Sequence, residues 1–170
     1  MGEHMKDERF LAWYGLLQVE ARSTELIGSE IERETGLPMT WFELLANLHW
    51  PEGQRRRMSE LADDVLLSRG GITRLIARME EAGYVRREIP PEDRRAVYAV
   101  LTDKGRDAVE RAYPVLFDAL ARHFGDLLDA DDVRRLNMIW ARLLQAMDAK
   151  CEGLMEGLVA TTEENADRPA

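Results

Sequence analysis

The stretch from Met58 to Gly105 reads MSELADDVLLSRGGITRLIARMEEAGYVRREIPPEDRRAVYAVLTDKG, and its pattern decides the fold. A first short helix is predicted to bury Leu61, Ala62 and Val65. A second helix is predicted to begin at Ser68, because a serine hydroxyl is a favoured N-cap acceptor. The apolar residues of this second helix recur every three or four positions, as a single buried face requires: Ile72, Leu75, Ile76 and Met79.

Two strands joined by a turn are predicted to follow the second helix. Gly83 is typical of the left-handed residue that ends a helix, and residues 84–89 and 96–101 are rich in the β-branched and aromatic residues of strands. Pro90 and Pro91 lie between these segments and exclude a helix there. Two helices and a hairpin in this order predict a winged helix-turn-helix, whose second helix enters the major groove of duplex DNA.

Short motifs within this stretch resemble those of the MarR (multiple antibiotic resistance regulator) family. The wing carries DRR at residues 93–95 and LTDKG at residues 101–105, at a spacing similar to the family's wing signature. The second helix and its exit carry TRL at 73–75, ME at 79–80 and GYV at 83–85, which also resemble the family. The resemblance spans about residues 8–150. It implies a homodimer whose terminal helices interlock, and a small phenolic or anionic ligand that releases DNA.

The predicted fold class is mainly α, with a two-stranded β-wing and long N- and C-terminal dimerisation helices. The first of these helices is amphipathic from Lys6 to about Thr35, and about 30 residues span roughly 45 Å, more than one small domain needs. The expected segments are 1–5, disordered or left from cloning; 6–36 and 104–158, the dimerisation region; 37–103, the DNA-binding domain; and 159–170, a disordered tail.

Several local signals predict where the other elements begin and end. TWFE at residues 40–43 has the form of a capping box for a short helix. Thr102 is predicted to cap a helix from Asp103 to about Phe124, which Pro114 should kink or split. Asp129 is predicted to cap the last helix, whose apolar stripe would dock on a second copy. That stripe comprises Leu136, Trp140, Leu143, Met147, Cys151, Leu154 and Leu158.

Charge and composition narrow the class of protein. The chain is 45% apolar and 32% charged, with one cysteine and a formal net charge of −9. Residues 55–95 nevertheless hold ten arginines and eight acidic residues, so positive charge is concentrated in the predicted DNA-binding segment. The longest apolar runs are far shorter than the roughly 18 residues that span a bilayer, and no signal peptide is recognisable. The expected location is the cytoplasm, without membrane contact.

The polar residues of the helix-turn-helix and wing are the candidate DNA contacts. Arg69, Thr73 and Arg74 are predicted to read base edges, since arginine pairs with guanine and threonine can meet a thymine methyl. Phosphate contacts are expected from Ser59, Ser68 and Arg78, and minor-groove contacts from Arg94, with Arg95 as second choice. Asp93 is expected to hold a neighbouring arginine by a charge-assisted hydrogen bond.

Two features of this region leave alternatives open. Arg55, Arg56 and Arg57 lie in a predicted polar loop, where they either contact phosphates or form a solvated surface. Gly70 and Gly71 either permit close approach of the helix backbone to DNA or leave a frayed first turn, because glycine disfavours helix by roughly 1 kcal/mol relative to alanine.

The candidate ligand-binding residues are Trp13, Trp41, His49 and Trp50, on helices that the resemblance places around a crevice. Aromatic rings stack on planar ligands and histidine pairs with a carboxylate, although such residues also serve as ordinary core. Packing in the apolar core is the favoured role for Cys151, ahead of peroxide sensing, which needs an activated thiolate. No cofactor is expected, and His49 and His123 lack the spacing of a metal site.

The leading hypothesis is a sequence-specific regulator of transcription that binds a pseudopalindromic operator as a homodimer and releases it when a small ligand binds. A repressor is expected, while an activator fits the same residues. The alternative is an architectural or protein-interaction protein with the same fold and no effector. An enzyme is disfavoured, because the chain lacks a phosphate loop, a nucleophile elbow and a clustered acid-base set.

Overall fold

The structure is a computed structural model that describes residues 6–50, 54–64, 69–91, 93 and 95–147, and the side chains of residues 63, 64 and 69 are not described. The described elements are α1 (Glu8–Thr35), α2 (Met39–His49), β1 (Arg55–Arg57), α3 (Met58–Asp64), α4 (Arg69–Glu81), β2 (Val85–Glu88), β3 (Tyr98–Leu101), α5 (Asp103–His123), a 3-10 turn (Gly125–Leu127) and α6 (Ala130–Ala146). The predicted class, mainly helical with a small winged sheet, is confirmed. Among the described residues, no helix has the length and apolarity needed to cross a bilayer.

The chain forms two compact units, one ending at His123 and the other beginning at Phe124. In the first unit, α5 packs against α1 and α2, and α3 packs against α4. Its core is built from completely buried side chains such as Ile31, Leu44, Leu61, Ile76 and Val109. In the second unit, Asp129 Oδ1 accepts hydrogen bonds from the backbone N–H groups of Asp131 and Asp132, both at 2.8 Å, so the predicted cap of α6 is confirmed.

The sheet differs from the prediction by one strand. Its order is β1-β3-β2, antiparallel throughout, so the two-stranded wing hairpin is joined by a third strand made of Arg55, Arg56 and Arg57. The loop predicted for these arginines is therefore wrong. Residues 55–57 form a strand because their backbone N–H and C=O groups pair with β3. Three charged side chains in a row do not indicate such a strand in the sequence.

Two predictions about helices α2 and α5 also need correction. Helix α2 begins at Met39 with Pro38 as its N-cap and has no side-chain cap, so the capping box predicted at residues 40–43 is wrong. The Pro38 carbonyl instead accepts from the N–H groups of Trp41 and Phe42 at 2.9 and 3.0 Å. Helix α5 runs without a break through Pro114, so it is not split in two; burial of Ala112 and Ala119 on either side stabilises it as one element.

Candidate nucleic-acid interface

Helix α4 separates apolar and polar residues as its sequence predicts. Ile72, Ile76 and Met79 are buried and Leu75 packs against the same core. Thr73, Arg74 and Arg78 are exposed, and the Nε of Arg74 lies 3.3 Å from the Gly70 carbonyl, one turn earlier. The helix therefore presents three of the predicted DNA contacts to solvent. Arg69 begins the helix, but its side chain and all of Ser68 lie outside the described residues.

The exit from α4 holds the wing at a defined angle. Gly83 adopts φ +81, the left-handed conformation predicted for it, and the Tyr84 N–H donates to the Met79 carbonyl at 2.9 Å. Glu80 near the helix end accepts from both the backbone N–H and the Nε of Arg87, at 2.9 and 2.7 Å. These bonds from Arg87 lower the pKa of the Glu80 carboxyl, so the pair remains charged in mildly acidic solution.

The base of the wing is joined to α5 through Thr102 and Gly105. The Thr102 hydroxyl lies 2.8 and 2.9 Å from the carbonyls of Gly83 and Tyr84, to which it can donate, and it accepts from the Gly105 N–H at 3.0 Å. The predicted Thr102 cap is thus confirmed. Lys104 adds a hydrogen bond from Nζ to the Ala82 carbonyl at 2.7 Å, and its ammonium lies 4.5 Å from the centroid of the Tyr84 ring.

The wing turn is ordered by Asp93. Its carboxylate accepts from the Arg95 N–H at 3.1 Å, its backbone N–H donates to the Pro90 carbonyl at 3.2 Å, and Arg95 is exposed. Asp93 Oδ2 also lies 3.9 Å from Arg57 Nη2, an ion pair with β1 at a longer distance than a hydrogen bond. Arg94, the residue predicted to enter the minor groove, lies outside the described residues.

A depression of about 380 Å³ lies where α3, α4, β1 and the wing turn meet. It brings together three of the predicted contacts, Ser59, Thr73 and Arg95, while the exposed Arg74 and Arg78 do not line it. Its full lining is Arg57, Met58, Ser59, Ile72, Thr73, Asp93, Arg95, Ala96 and Val97. Two guanidinium groups and two hydroxyls line the depression against one carboxylate, that of Asp93, so the lining is on balance positive and suits a ligand with anionic oxygens.

Tyr98 is the residue of this surface that sequence reasoning missed, while Arg55 and Arg57 were considered only as possible phosphate contacts of a loop. Arg57 Nε donates to the Tyr98 hydroxyl at 2.9 Å, and the guanidinium carbons of Arg55 and Arg57 lie 5.1 and 5.6 Å from the centroid of the Tyr98 ring. The arginine run was visible in the sequence, but its pairing with a residue about 40 positions away was not.

The residues predicted for a ligand site divide into three places. The His49 ring lies 5.7 Å from the Trp50 ring and 5.9 Å from the Tyr113 ring, and Trp50 is 76% exposed. Trp41 packs edge-on to Tyr84 at 5.5 Å, beside the core, and Trp13 lies 6.3 Å from Phe10 on α1. Only His49 and Trp50 are therefore brought together by ring contacts between the described aromatic residues.

Tyr113 is the residue of this aromatic cluster that sequence reasoning missed. Its hydroxyl and His49 Nδ1 are both buried; His49 Nδ1 has no hydrogen-bond partner among the described residues, while the Tyr113 hydroxyl interacts with the Trp50 side chain. Burial raises the pKa of the Tyr113 hydroxyl, which stays protonated at neutral pH. The one available signal was the spacing of Tyr113 and Phe117 by one helical turn, whose rings stack at 6.3 Å. Among the described residues, no group of three potential metal ligands occurs.

The fold and this surface define a winged helix-turn-helix protein of the kind that binds DNA. A profile of the MarR family matches residues 35–96. The chain is 34% identical to AbsC, a MarR family transcriptional regulator from Streptomyces coelicolor, over 84% of this chain and 96% of that one, with a TM-score of 0.74. Sco3205 from the same organism, a MarR family regulator solved in complex with DNA, is 28% identical over 83% of this chain and 89% of that one, with a TM-score of 0.74.

A curated relative from Bacillus subtilis (strain 168), the HTH-type transcriptional regulator YkoM, is 35% identical over 95 residues. That match covers 56% of this chain and 60% of YkoM, so it spans less than two thirds of the relative's length. The chain belongs to the MarR family, whose members here are transcriptional regulators and not enzymes.

Proposed function

We propose that this regulator binds a pseudopalindromic operator as a homodimer, with one α4 in each of two successive major grooves and half-sites about 10 base pairs apart. The observation that carries the proposal is the exposed row of Thr73, Arg74 and Arg78 on α4, beside a depression that Ser59 and Arg95 also line. Thr73 and Arg74 would contact base edges together with Arg69, and Arg78 and Ser59 would contact phosphates with Ser68. Arg95 and Arg94 would reach the minor groove.

The homodimer is supported by apolar surface on two helices. The first half of α1 exposes seven large apolar side chains within ten residues, an amount that monomeric proteins rarely leave in water: Phe10, Leu11, Trp13, Tyr14, Leu16, Leu17 and Val19. In the second unit, α6 exposes Val133, Met138, Ile139 and Leu143. A second copy that covers these faces would also bring the two α4 helices to a fixed separation.

The effector proposal rests on the buried polar atoms of His49 and Tyr113. Burying a donor or acceptor without a partner costs about 1 to 3 kcal/mol, so a bound ligand that pairs with His49 Nδ1 would gain that energy. Trp50 beside them offers an exposed ring for stacking. A small phenolic or anionic compound meets these requirements, and its binding would favour a domain arrangement that no longer fits the operator, as in a ligand-released repressor.

The proposal is tested by fluorescence anisotropy on the DNA upstream of the protein's own gene. Wild type is expected to bind that DNA with nanomolar affinity, to discriminate against a scrambled duplex of equal length and to lose discrimination in Arg74→Ala. Salicylate and benzoate are then titrated into the complex, and release by either compound should weaken in Tyr113→Phe. Equal affinity for both duplexes, unchanged by Arg74→Ala, would leave an architectural or interaction role as the better proposal.

A further inference from the structure

The solvent-facing side of the small sheet is organised around one tyrosine. Tyr98 in the central strand β3 lies in register with Arg57 of β1 on one side and with Glu88 of β2 on the other. Arg55 and Arg57 are two residues apart, so both project to the same face of β1. Both guanidinium groups stack over the Tyr98 ring, at distances of 5.1 and 5.6 Å that are within the range of cation–π attraction.

Arg57 is the more firmly oriented of the two arginines. In addition to the ring contact, its Nε donates to the Tyr98 hydroxyl at 2.9 Å, and its backbone N–H donates to Glu60 Oε2 at 3.3 Å. A flexible arginine loses side-chain entropy when it binds a ligand, about 2 kcal/mol when fully immobilised. A side chain already held by a ring and a hydroxyl has less of that entropy to lose.

Arg57 also lies at the place where an anion would be expected. It lines the same depression as Thr73 of α4 and Arg95 of the wing turn, whereas Arg55 does not. The terminal nitrogens of Arg57 carry the four N–H groups that the Tyr98 bond does not use, and Nη2 is 3.9 Å from Asp93 Oδ2. A guanidinium fork of this kind matches two oxygens of a phosphate.

We propose that Arg57 binds a phosphate of the DNA backbone between the major-groove segment contacted by α4 and the minor-groove segment contacted by the wing, and that Tyr98 is its positioning residue. This inference rests on the proposed function and adds a contact from β1, a strand outside the helix-turn-helix and the hairpin. The contact carries no base information, so it sets the register of α4 and adds affinity for every sequence.

The test is the salt dependence of DNA binding for wild type, Arg57→Ala and Arg111→Ala, on the operator and on a scrambled duplex. Arg111 is an exposed arginine of α5 and serves as the matched loss of one positive charge. Arg57→Ala is expected to weaken binding to both duplexes about a hundredfold, because a homodimer loses two hydrogen-bonded ionic contacts worth about tenfold each. Because each phosphate contact contributes about 0.9 to the slope of log K against log salt, a homodimer should lose nearly 2. Arg111→Ala should keep both affinity and slope.

The role of Tyr98 is tested by a double-mutant cycle. Tyr98→Phe retains the stacked ring but removes the hydroxyl that orients Arg57, and it should weaken binding by roughly threefold in the wild type. The same substitution should have no effect on binding in Arg57→Ala, because the side chain it positions is gone. A purely structural role for Tyr98 would instead weaken binding equally in both backgrounds and would overturn its assignment as a positioning residue.

The remaining outcomes separate this inference from the function on which it rests. If wild type discriminates the operator but Arg57→Ala keeps its affinity and salt slope, the phosphate contact is refuted and the regulator function stands. If wild type shows no preference for the operator, the proposed function fails, while a reduced slope for Arg57→Ala on both duplexes would still support the contact. Equal losses of affinity and salt slope in Arg57→Ala and Arg111→Ala would refute the phosphate contact, because any lost positive charge would then have the same effect. If circular dichroism shows that Arg57→Ala does not fold, Arg57→Lys takes its place. Arg57→Lys should keep the slope of log K against log salt, and adding Tyr98→Phe to it should no longer change the DNA affinity.

Discussion

Gly105 in the first turn of α5 is a position where a single methyl group should be costly. A Cβ at residue 105 would lie 2.1 Å from the carbonyl oxygen of Tyr84 and 2.8 Å from Leu101 Cδ1. The Tyr84 carbonyl is backbone at the start of the wing, and it accepts from the N–H of Thr102 at 3.2 Å. The clash therefore cannot be relieved by rotating a side chain, and α5 must move away from the wing.

The magnitude of this effect follows from the geometry. Nonbonded heavy atoms are optimally separated by about 3.5 Å, so the two segments must part by more than about 1 Å. Overpacking of this kind costs about 1 to 3 kcal/mol, and each Thr102 hydrogen bond lost adds about 1 kcal/mol. Alanine recovers up to about 1 kcal/mol through its better helix propensity. We expect Gly105→Ala to lower the free energy of unfolding by about 3 kcal/mol and the melting temperature by about 6 to 12 °C.

The assay is urea denaturation followed by circular dichroism, at one protein concentration for all variants because dimerisation would shift the midpoint. Gly70→Ala is the matched control, since a Cβ at this exposed position of α4 meets no described atom within 4 Å. That control should gain up to about 1 kcal/mol. A loss in Gly105→Ala of no more than about 0.5 kcal/mol, the range of ordinary surface substitutions, would refute the close approach of α5 to the wing.

Three further predictions concern α4, α6 and the contact between α1 and α5. Gly70→Ala should raise the free energy of unfolding by up to about 1 kcal/mol, because no described atom lies within 4 Å of a Cβ at this position. The same substitution should weaken operator binding in the anisotropy assay, because the first turn of α4 approaches DNA closely. Unchanged affinity would favour the interpretation of a frayed first turn. Asp129→Ala removes the cap of α6 and should cost about 1 kcal/mol, measured as faster amide exchange in that helix than in wild type, whereas unchanged exchange would contradict the cap's importance. Hydrogen bonds from His123 and Arg122 to Glu30 hold the pKa of that carboxyl below its ordinary value of 4.5. Its stabilising contribution is therefore present above pH 4.5 and is lost as the pH falls further. Glu30→Gln should flatten the acid side of the stability curve, and an unaltered curve would argue against the contact.

The elements that could be predicted from the sequence are those whose signals are local. The spacing of Ile72, Ile76 and Met79 is sufficient to set the buried face of α4, because helical periodicity does not depend on the rest of the chain. Gly83 and Thr102 fix the ends of α4 and α5 through their own backbone and hydroxyl chemistry.

The parts that could not be predicted depend on distant partners. Three consecutive arginines have no strand alternation, and residues 55–57 become β1 only because the free edge of β3 accepts them in register with residues 98–100. The contact between Tyr113 and His49 could not be predicted for the same reason. Helices α2 and α5 are far apart in sequence, and only their packing brings these two rings together. Pro114 within α5 shows the opposite case, where tertiary contacts override a strong local helix breaker.

The acidic residues of the winged segment explain how an acidic protein can carry a DNA-binding surface. Glu80 fixes Arg87 by two hydrogen bonds, and Glu88 pairs with Arg86 on the same strand. These pairs are largely exposed, and exposed ion pairs contribute little to stability, so their main effect is on position and on charge. The Glu80–Arg87 pair holds the hairpin against the end of α4, and both pairs neutralise arginines that would otherwise attract any duplex. A surface with few oriented cations favours register on one site over indiscriminate binding to the backbone.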